Sequence, residues 1–592
     1  MPRLNALALA SLIALAPLSA IASQPPLSTH AERSGFTQTG RYAEVIALCE
    51  DFARTYPQMV RCFDFGTTPE GRPMKALAIS ASGALDAAAA KRENLPVILV
   101  QGGIHSGEID GKDAVFWLLR DWLADPTKHA VLGKQVMLFV PVFNVDGHEN
   151  FRAWHRPNQR GPEQMGFRVT AQRYNLNRDY LKADSPEMQA MLRLVNTWDP
   201  LVEIDLHATD GAQFQHAISI TAHPVNTGDT ALAQVGRTLR DGIITDLEQS
   251  GFMPVDFYPS FVEYDNPASG FSEGVPSPRF SHGYFHLRNR IGILVETHSW
   301  RTYPERVRST RASVESLIKH IAQHGRQWRS IADASDRRAA ALAGQPVSLR
   351  WKVLDQAKTI DFQGYAYTRS PSEISGALMT RYDETKPQVW RVPLRNQIAP
   401  ALQVTAPKNG YLIPAAWASL FQPKLELHGI QYRRIDNALT DIPVEVFRAG
   451  KAEFAKTSVE GHQRLDLDGQ WQTEGQQSFA PGALWIPIAQ AKARLVMQLV
   501  EPQAPDALVA WGEMNNVFEQ KEYMEDYVAE AEARKMLAQD PALKAEFERR
   551  LAEDAEFAAS ASKRLAFFYQ RHPAYDRDLH RYPVVRVLQP LQ

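Results

Sequence analysis

The chain is poor in cysteine: 592 residues contain only two, Cys49 and Cys62. Zinc modules built on thiolates need more Cys or nearby His than this, so that class of structural site is excluded. Spacing leaves open whether the two bridge, because a disulfide depends on close Cα atoms. An excess of charge of one sign is also lacking. Lys and Arg total 65 against 67 for Asp and Glu, a formal net charge of -2. No global field draws such a chain to nucleic acid or to an anionic membrane, so neither is expected as a partner. Past the N-terminus no continuous apolar run is long enough to span a bilayer, so no integral membrane segment is expected in the mature chain. There is no low-complexity tract and no convincing internal repeat.

What is present begins with a short positive start at Arg3, an apolar run from Leu4 to Leu18, and the small-x-small pattern Ala20-Ile21-Ala22. That combination reads as a secretory signal over residues 1–22, with the mature chain starting near Ser23 and exported to the periplasm or the exterior. The composition, 44% hydrophobic and 22% charged, is that of an ordinary globular protein. At ~100–200 residues per domain the length implies two or three domains.

The first half alternates strand-like and helix-like segments. Lys75–Ser80, Pro96–Val100, Val136–Phe143, Leu201–His207 and Ile291–Thr297 read as buried strands. Val115, Leu118, Leu119, Trp122 and Leu123 recur at helical spacing, and Val314, Leu317, Ile318 and Ile321 do so later. Strands alternating with helices predict an α/β layer with a largely buried sheet. From Pro346 the style changes. Val347–Val353, Gln403–Thr405, Tyr411–Pro414 and Arg494–Val500 read as strands, and Pro407-Lys408-Asn409-Gly410 as a hairpin turn between two of them. The stretch from Glu519 to about His572 is charged and helical. The division expected is a catalytic domain over 35–343, a smaller β-rich accessory region over 346–515 and a helical C-terminal region over 516–592.

Chemistry concentrates in the first half. His105-Ser106-Gly107-Glu108 places an imidazole and a carboxylate on a turn between a strand and a helix. Both groups suit Zn²⁺, which in a catalytic site takes three protein ligands and keeps one position open. His207 closes an apolar strand, where open α/β sheets build their sites. Asp205, two residues earlier, reads first as a surface carboxylate and second as an orienter of a ligand. Glu296 ends the apolar run Ile291–Val295, where a charge is costly unless it is paired or used. Arg156 and the pair Asn177-Arg178 lie in turn-like stretches, and Arg forms planar two-point contacts with carboxylates.

Taken in order, an HxxE turn, the Asn144-Val145-Asp146-Gly147 turn, Arg156, Asn177-Arg178, His207 and Glu296 resemble the zinc carboxypeptidases, the carboxypeptidase A-like metallopeptidases. Gly66-Thr67-Thr68-Pro69-Glu70-Gly71-Arg72-Pro73 is similar to that family's entry segment, and the resemblance covers roughly residues 35–340. It implies a mixed central sheet flanked by helices and one catalytic zinc held by His105, Glu108 and His207. It further implies Glu296 as general base, Arg156 on the oxyanion, and Asn177 and Arg178 on the terminal carboxylate of a peptide or protein substrate. The family's substrate-capping Tyr is expected at Tyr284, with Tyr264 second. The chain departs from the family at Val145, where Pro is usual, and in a shorter interval between Arg178 and His207. The same residues also allow a zinc amidase of cell-wall stem peptides or a zinc deacylase of N-acyl amino acids. A non-catalytic binding protein is the reading from a different class. Oligomeric state is left open.

Overall fold

The computed structural model describes residues 27–591. The expected signal over 1–22 lies outside the described residues. The first half builds one eight-stranded mixed sheet. Its strands are β1 (Val60–Thr67), β2 (Pro73–Ile79), β3 (Val97–Gly102), β4 (Val136–Val140), β5 (Val202–Thr209), β6 (Ile218–His223) and β7 (Pro254–Val255). A short strand β8 (Phe271–Ser272) pairs elsewhere, and β9 (Ile291–His298) completes the set. Their spatial order is β1-β2-β4-β3-β5-β9-β6-β7. The neighbours β4, β3, β5 and β9 are parallel, while the pairs β1–β2, β2–β4 and β9–β6 are antiparallel.

Every residue of β3, β4, β5 and β9 is buried. Strands covered on both faces read as continuous apolar runs, which is why they were legible. The helices Asp110–Ala124, Thr230–Gln249 and Tyr303–Ala339 pack on one another and on the sheet. Ser281–Leu287 contacts β5, β6 and β9, and Tyr42–Thr55 lies against β1 and β2. A Cys49–Cys62 disulfide joins that last helix to β1.

Behind the ends of β5 and β9 sits a fully buried ion pair. Arg306, in the first turn of Tyr303–Ala339, donates through Nε to Asp110 at 2.9 Å, and through its terminal nitrogens to the carbonyls of Arg160, Gly161 and Arg301. Thr297 of β9 also donates to Asp110, at 2.7 Å. Helix, strand and loop are thus tied at one point below the strand ends.

The second half carries three smaller sheets. β10 (Pro346–Val353) pairs with β13 (Ile398–Thr405), and the hairpin of β11 (Lys358–Pro371) and β12 (Leu378–Arg395) takes up β8 at its edge. The third has the order β15-β18-β14-β19-β16-β17. It comprises β14 (Gly410–Ile413), β15 (Arg433–Arg434), β16 (Leu439–Phe454), β17 (Leu465–Phe479), β18 (Leu484–Pro487) and β19 (Arg581–Val587).

Three sequence expectations are corrected here. Pro407–Gly410 is no hairpin turn, because β13 and β14 pair with different partners. Gly410 serves a close approach instead: a Cβ there would lie 2.1 Å from the Ile486 carbonyl oxygen. Arg494–Val500 is helical, within Ala493–Val500. Almost every residue of it is buried, and a short run buried all round carries no period to distinguish strand from helix. Finally, the C-terminal stretch is not helical throughout. The helices between Asp526 and Tyr569 enclose their own small core, but β19 then returns to the interior of the six-stranded sheet between β14 and β16.

Removing Arg306 strands a buried Asp110, the kind of change that costs about 3–5 kcal/mol. Arg306→Met is expected to lower the denaturant midpoint accordingly, whereas Arg308→Met, at an exposed position, should stay within about 0.5 kcal/mol. Equal shifts in the two variants would rule out the clamp.

Candidate metal centre

The three strands that end at the site are spatial neighbours in the order β3, β5, β9. β3 runs into the turn that carries His105 and Glu108, and the helix Asp110–Ala124 starts directly behind it. In the β5–β9 register His207 stands opposite Glu296. The four residues that the sequence singled out therefore converge, and all four are buried.

His105 Nδ1 lies 3.1 Å from one Glu108 carboxylate oxygen, and His207 Nδ1 lies 2.8 Å from the other. One ligand atom from each of the three residues falls within 4.8 Å of the others. Both rings are held from behind. His105 Nε2 donates to Asn175 Oδ1 at 3.1 Å, and the Asn177 amide donating to the same oxygen fixes which end of the Asn175 side chain faces the ring. That bond puts the proton on Nε2 and leaves the Nδ1 lone pair directed at the centre. His207 Nε2 is 3.0 Å from Asp205 Oδ2, which accepts from Ser281 Oγ at 2.7 Å. Asp205 is fully buried and is no surface carboxylate, because β5 is covered along its whole length.

Electrostatics follow from burial and from the neighbours. Burial pushes His105 down to about 4, against the pull of Glu108. Burial alone would raise Glu108, but Arg156 and His105 hold its carboxyl well below the usual range. Burial likewise disfavours charge on His207, yet Asp205 and Glu108 outweigh it and hold the ring well above its ordinary value. Glu296 goes the other way: burial raises it to about 8, and Glu108 and Asp205 add to the rise. Its Oε2 is buried with no hydrogen-bond partner among the described residues.

The donor set fits zinc. Two imidazole nitrogens and one carboxylate leave a coordination position open, and the orphaned Glu296 oxygen belongs to the same cleft. A second group, Asp184, His462 and Glu513, does not fit, because Lys182 and Lys424 already pair with Asp184 at 2.9 and 3.0 Å.

The cleft has a volume of about 730 Å³, and His105, Glu108, Arg156, Asn177, Arg178, His207 and Glu296 all line it. Arg156 donates to the Ala208 carbonyl at 3.0 Å and pairs with Glu108 at 2.8 Å. Gly107 makes room for it: a Cβ at that position would stand 2.6 Å from Arg156 Cγ. Arg178 lies 4.5 Å over the Phe280 ring and, among the described residues, makes no ion pair with a carboxylate. Burial, and then the nearby Arg168, make its charge less favourable, and Glu460 offsets them in part.

Tyr284 is not in the cleft and is corrected. Its hydroxyl hydrogen-bonds His428 at 2.9 Å inside the fully buried helix Ser281–Leu287. Tyr264 is not in the cleft either and is almost wholly exposed. The tyrosine in the wall is Tyr258, whose phenol is pushed up by burial and then by Glu296. Sequence reasoning also missed Arg168, 3.2 Å from Glu108, and Asn175. Asn175 sits in the same short motif as Asn177, two residues ahead of it, and that proximity was a usable signal. Arg168 had none.

Residues 45–244 match the family model Peptidase_M14, "Zinc carboxypeptidase". Carboxypeptidase B of Helicoverpa zea is 32% identical over 105 residues, which are 17% of this chain and 23% of that protein. The "Inactive metallocarboxypeptidase ECM14" of Saccharomyces cerevisiae is 32% identical over 129 residues, 20% of this chain and 28% of that one. The chain thus spans about a quarter of the length of these relatives. A metallo-carboxypeptidase structure from Burkholderia cenocepacia aligns at 16% identity and TM-score 0.35, over 47% of this chain and 68% of that one.

If the centre binds metal as its donors suggest, elemental analysis should find one zinc per chain, and none in His207→Ala. Asn175→Ala should weaken zinc binding about 10–100-fold, since partners behind a ligating His contribute on that scale. An unchanged affinity would show that the Asn175 bond is incidental.

Proposed function

We propose, on the premise that this chain belongs to the zinc carboxypeptidase family, that it is an exported metallocarboxypeptidase. It would hydrolyse the last peptide bond of peptides or proteins, with His105, Glu108 and His207 holding one zinc. The observation that carries this reading is one cleft holding the Glu296 carboxyl, whose Oε2 has no hydrogen-bond partner among the described residues, and the Arg178 guanidinium, which meets the Asn177 carbonyl and the Phe280 ring but no carboxylate there. The first lacks a proton donor and the second lacks an anion. A peptide with a free C-terminus and an attacking water supply both.

When bound, zinc acidifies water and polarises a carbonyl. Glu296 takes the proton of the attacking water on Oε2 and later delivers it to the leaving amine. Arg156, already directed at the centre, donates to the oxygen on which charge develops. Asn177 and Arg178 hold the terminal carboxylate, and Tyr258 in the wall is placed to cover the bound residue. Two relatives are described as inactive. Here all three ligands and Glu296 are present and brought together, which favours catalysis over binding alone.

Glu296→Gln should leave zinc bound and reduce turnover by a factor of at least about 10², the range over which a positioned acid–base acts. Near-normal turnover would remove Glu296 from the mechanism. Arg178→Ala should raise KM for peptides with a free terminal carboxylate far more than for their C-terminal amides. An equal effect on both would point away from a carboxypeptidase.

A further inference from the structure

Arg178 stands on the short turn Leu176–Arg178, and Phe280, the ring beneath its guanidinium, stands on the turn ahead of the helix Ser281–Leu287. No strand ladder holds either turn. The chain is irregular over 179–184, after the first, and over 273–280, up to the second. Irregular chain keeps one course only where side chains tether it. Here tethers on both sides come from the second half.

On the Phe280 side the tether is Asp506, which is fully buried. One of its carboxylate oxygens accepts the Arg279 amide at 3.1 Å and Arg279 Nε at 3.2 Å, and the other accepts a terminal nitrogen of the same guanidinium at 2.5 Å. A two-point contact of this kind fixes direction as well as distance. The Arg279 carbonyl in turn accepts the Tyr180 amide at 3.3 Å, so one residue links the two turns. On the Arg178 side the tether is Asp184, which Lys424 and His462 of the second half reach at 3.0 and 2.7 Å. Trp511, also of the second half, serves both sides. Arg279 lies 4.8 Å over its ring and Lys182 5.7 Å, with Arg464 at 4.3 Å. The ring is fully buried, and cation–π attraction is strongest where the partners are out of water.

Arg279, Phe280 and Ser281 are consecutive, and each has a different task. The first is bound to Asp506, the second lies under Arg178, and the third donates to Asp205 behind His207. Ser281 is also fixed as the first residue of a buried helix, whereas Phe280 has only the turn. Loosening Arg279 should therefore move the Phe280–Arg178 stack and spare the metal ligands. Building on the carboxypeptidase reading, we infer that Asp506 and Trp511 are positioning residues for the terminal carboxylate: acting through Arg279 and Phe280, they set where the Arg178 guanidinium stands. The second half is thereby part of the substrate-binding apparatus.

The test compares one peptide with a free and with an amidated C-terminus. Binding is read by calorimetry on the zinc-loaded Glu296→Gln chain, and KM and kcat on the chain that keeps Glu296. Asp506→Asn should weaken binding of the free acid at least about tenfold, the low end of what a charged hydrogen bond contributes. The amide should change by no more than about twofold, zinc content should not change, and the loss should fall on KM more than on kcat. In an Arg178→Ala background Asp506→Asn should cost nothing further, because the contact it positions is gone. Equal weakening of both peptides, or a loss that adds fully to that of Arg178→Ala, overturns the inference. Arg586→Met breaks another buried pair, with Glu501 at 2.5 Å inside the six-stranded sheet. It should leave the free-to-amide ratio alone, and an equal fall there would show general loosening instead of positioning. If Asp506→Asn does not fold, Arg279→Lys keeps the charge, gives up the two-point contact and should move the ratio in the same direction. A free-acid preference that survives in these variants sinks the inference alone. No such preference before any change at Asp506 or Arg279 would sink the carboxypeptidase reading, and the inference with it.

Discussion

A carboxylate taken out of water without a hydrogen-bond donor carries a penalty on the order of several kcal/mol or gains a proton. Glu296 is in that position, and the sheet leaves it no escape. It lies on β9, between β5 and β6, with His207 opposite on one side and Ser219 on the other. Moving it out would mean slipping a register that buries every residue of β9. A one-residue slip would turn each apolar side chain to the opposite face. The apolar run that makes the strand also fixes the acid beside the ligands.

The same constraint explains the layer behind the site. Three ligands close enough to share a metal would splay apart if held only by their own backbones. Asn175 and Asp205 restrain the two rings, and Arg156 and Arg168 stand around Glu108. The Arg306–Asp110–Thr297 knot then ties the helix behind the HxxE turn to β9. These contacts set ligand direction, which for a metal site matters as much as ligand identity.

How legible this was depended on whether a residue's role lay in its own strand or in its surroundings. His105, Glu108, His207 and Glu296 each end or follow a buried apolar run, so position and chemistry appear together in the sequence. The mixed sheet flanked by helices was legible for the same reason. Tyr284 was misread because proximity in sequence to Glu296 stood in for proximity in space; the helix Ser281–Leu287 turns it into the core. Tyr258 is 38 residues from Glu296 in the chain and reaches the cleft only because β7 lies against β6. Asp205 looked polar and exposed, but a strand flanked on both sides in a covered sheet has no exposed face. The second half was hardest, since its long strands alternate weakly and their partners lie far off in sequence.

That second half nevertheless shapes the cleft. The wall bearing Glu273 follows β8, and β8 pairs not with the main sheet but with β12, at Leu394 and Arg395. The Glu273 amide donates to the Arg395 carbonyl at 3.0 Å. Phe214, Phe257 and Phe271 pack with Phe362 and Trp390 of the hairpin in one buried aromatic cluster. Aromatic contacts of this kind contribute about 0.5–1.5 kcal/mol per pair beyond area burial, enough together to hold an otherwise irregular loop. Glu460, from the turn between β16 and β17, accepts the Asn175 amide at the opposite lip, at 3.4 Å. The candidate metal centre and the residues lining the cleft all come from the first half, whereas the second half braces the wall that bears Glu273. A family resemblance confined to the first half can identify the centre, but it says little about which side chain the cleft accepts.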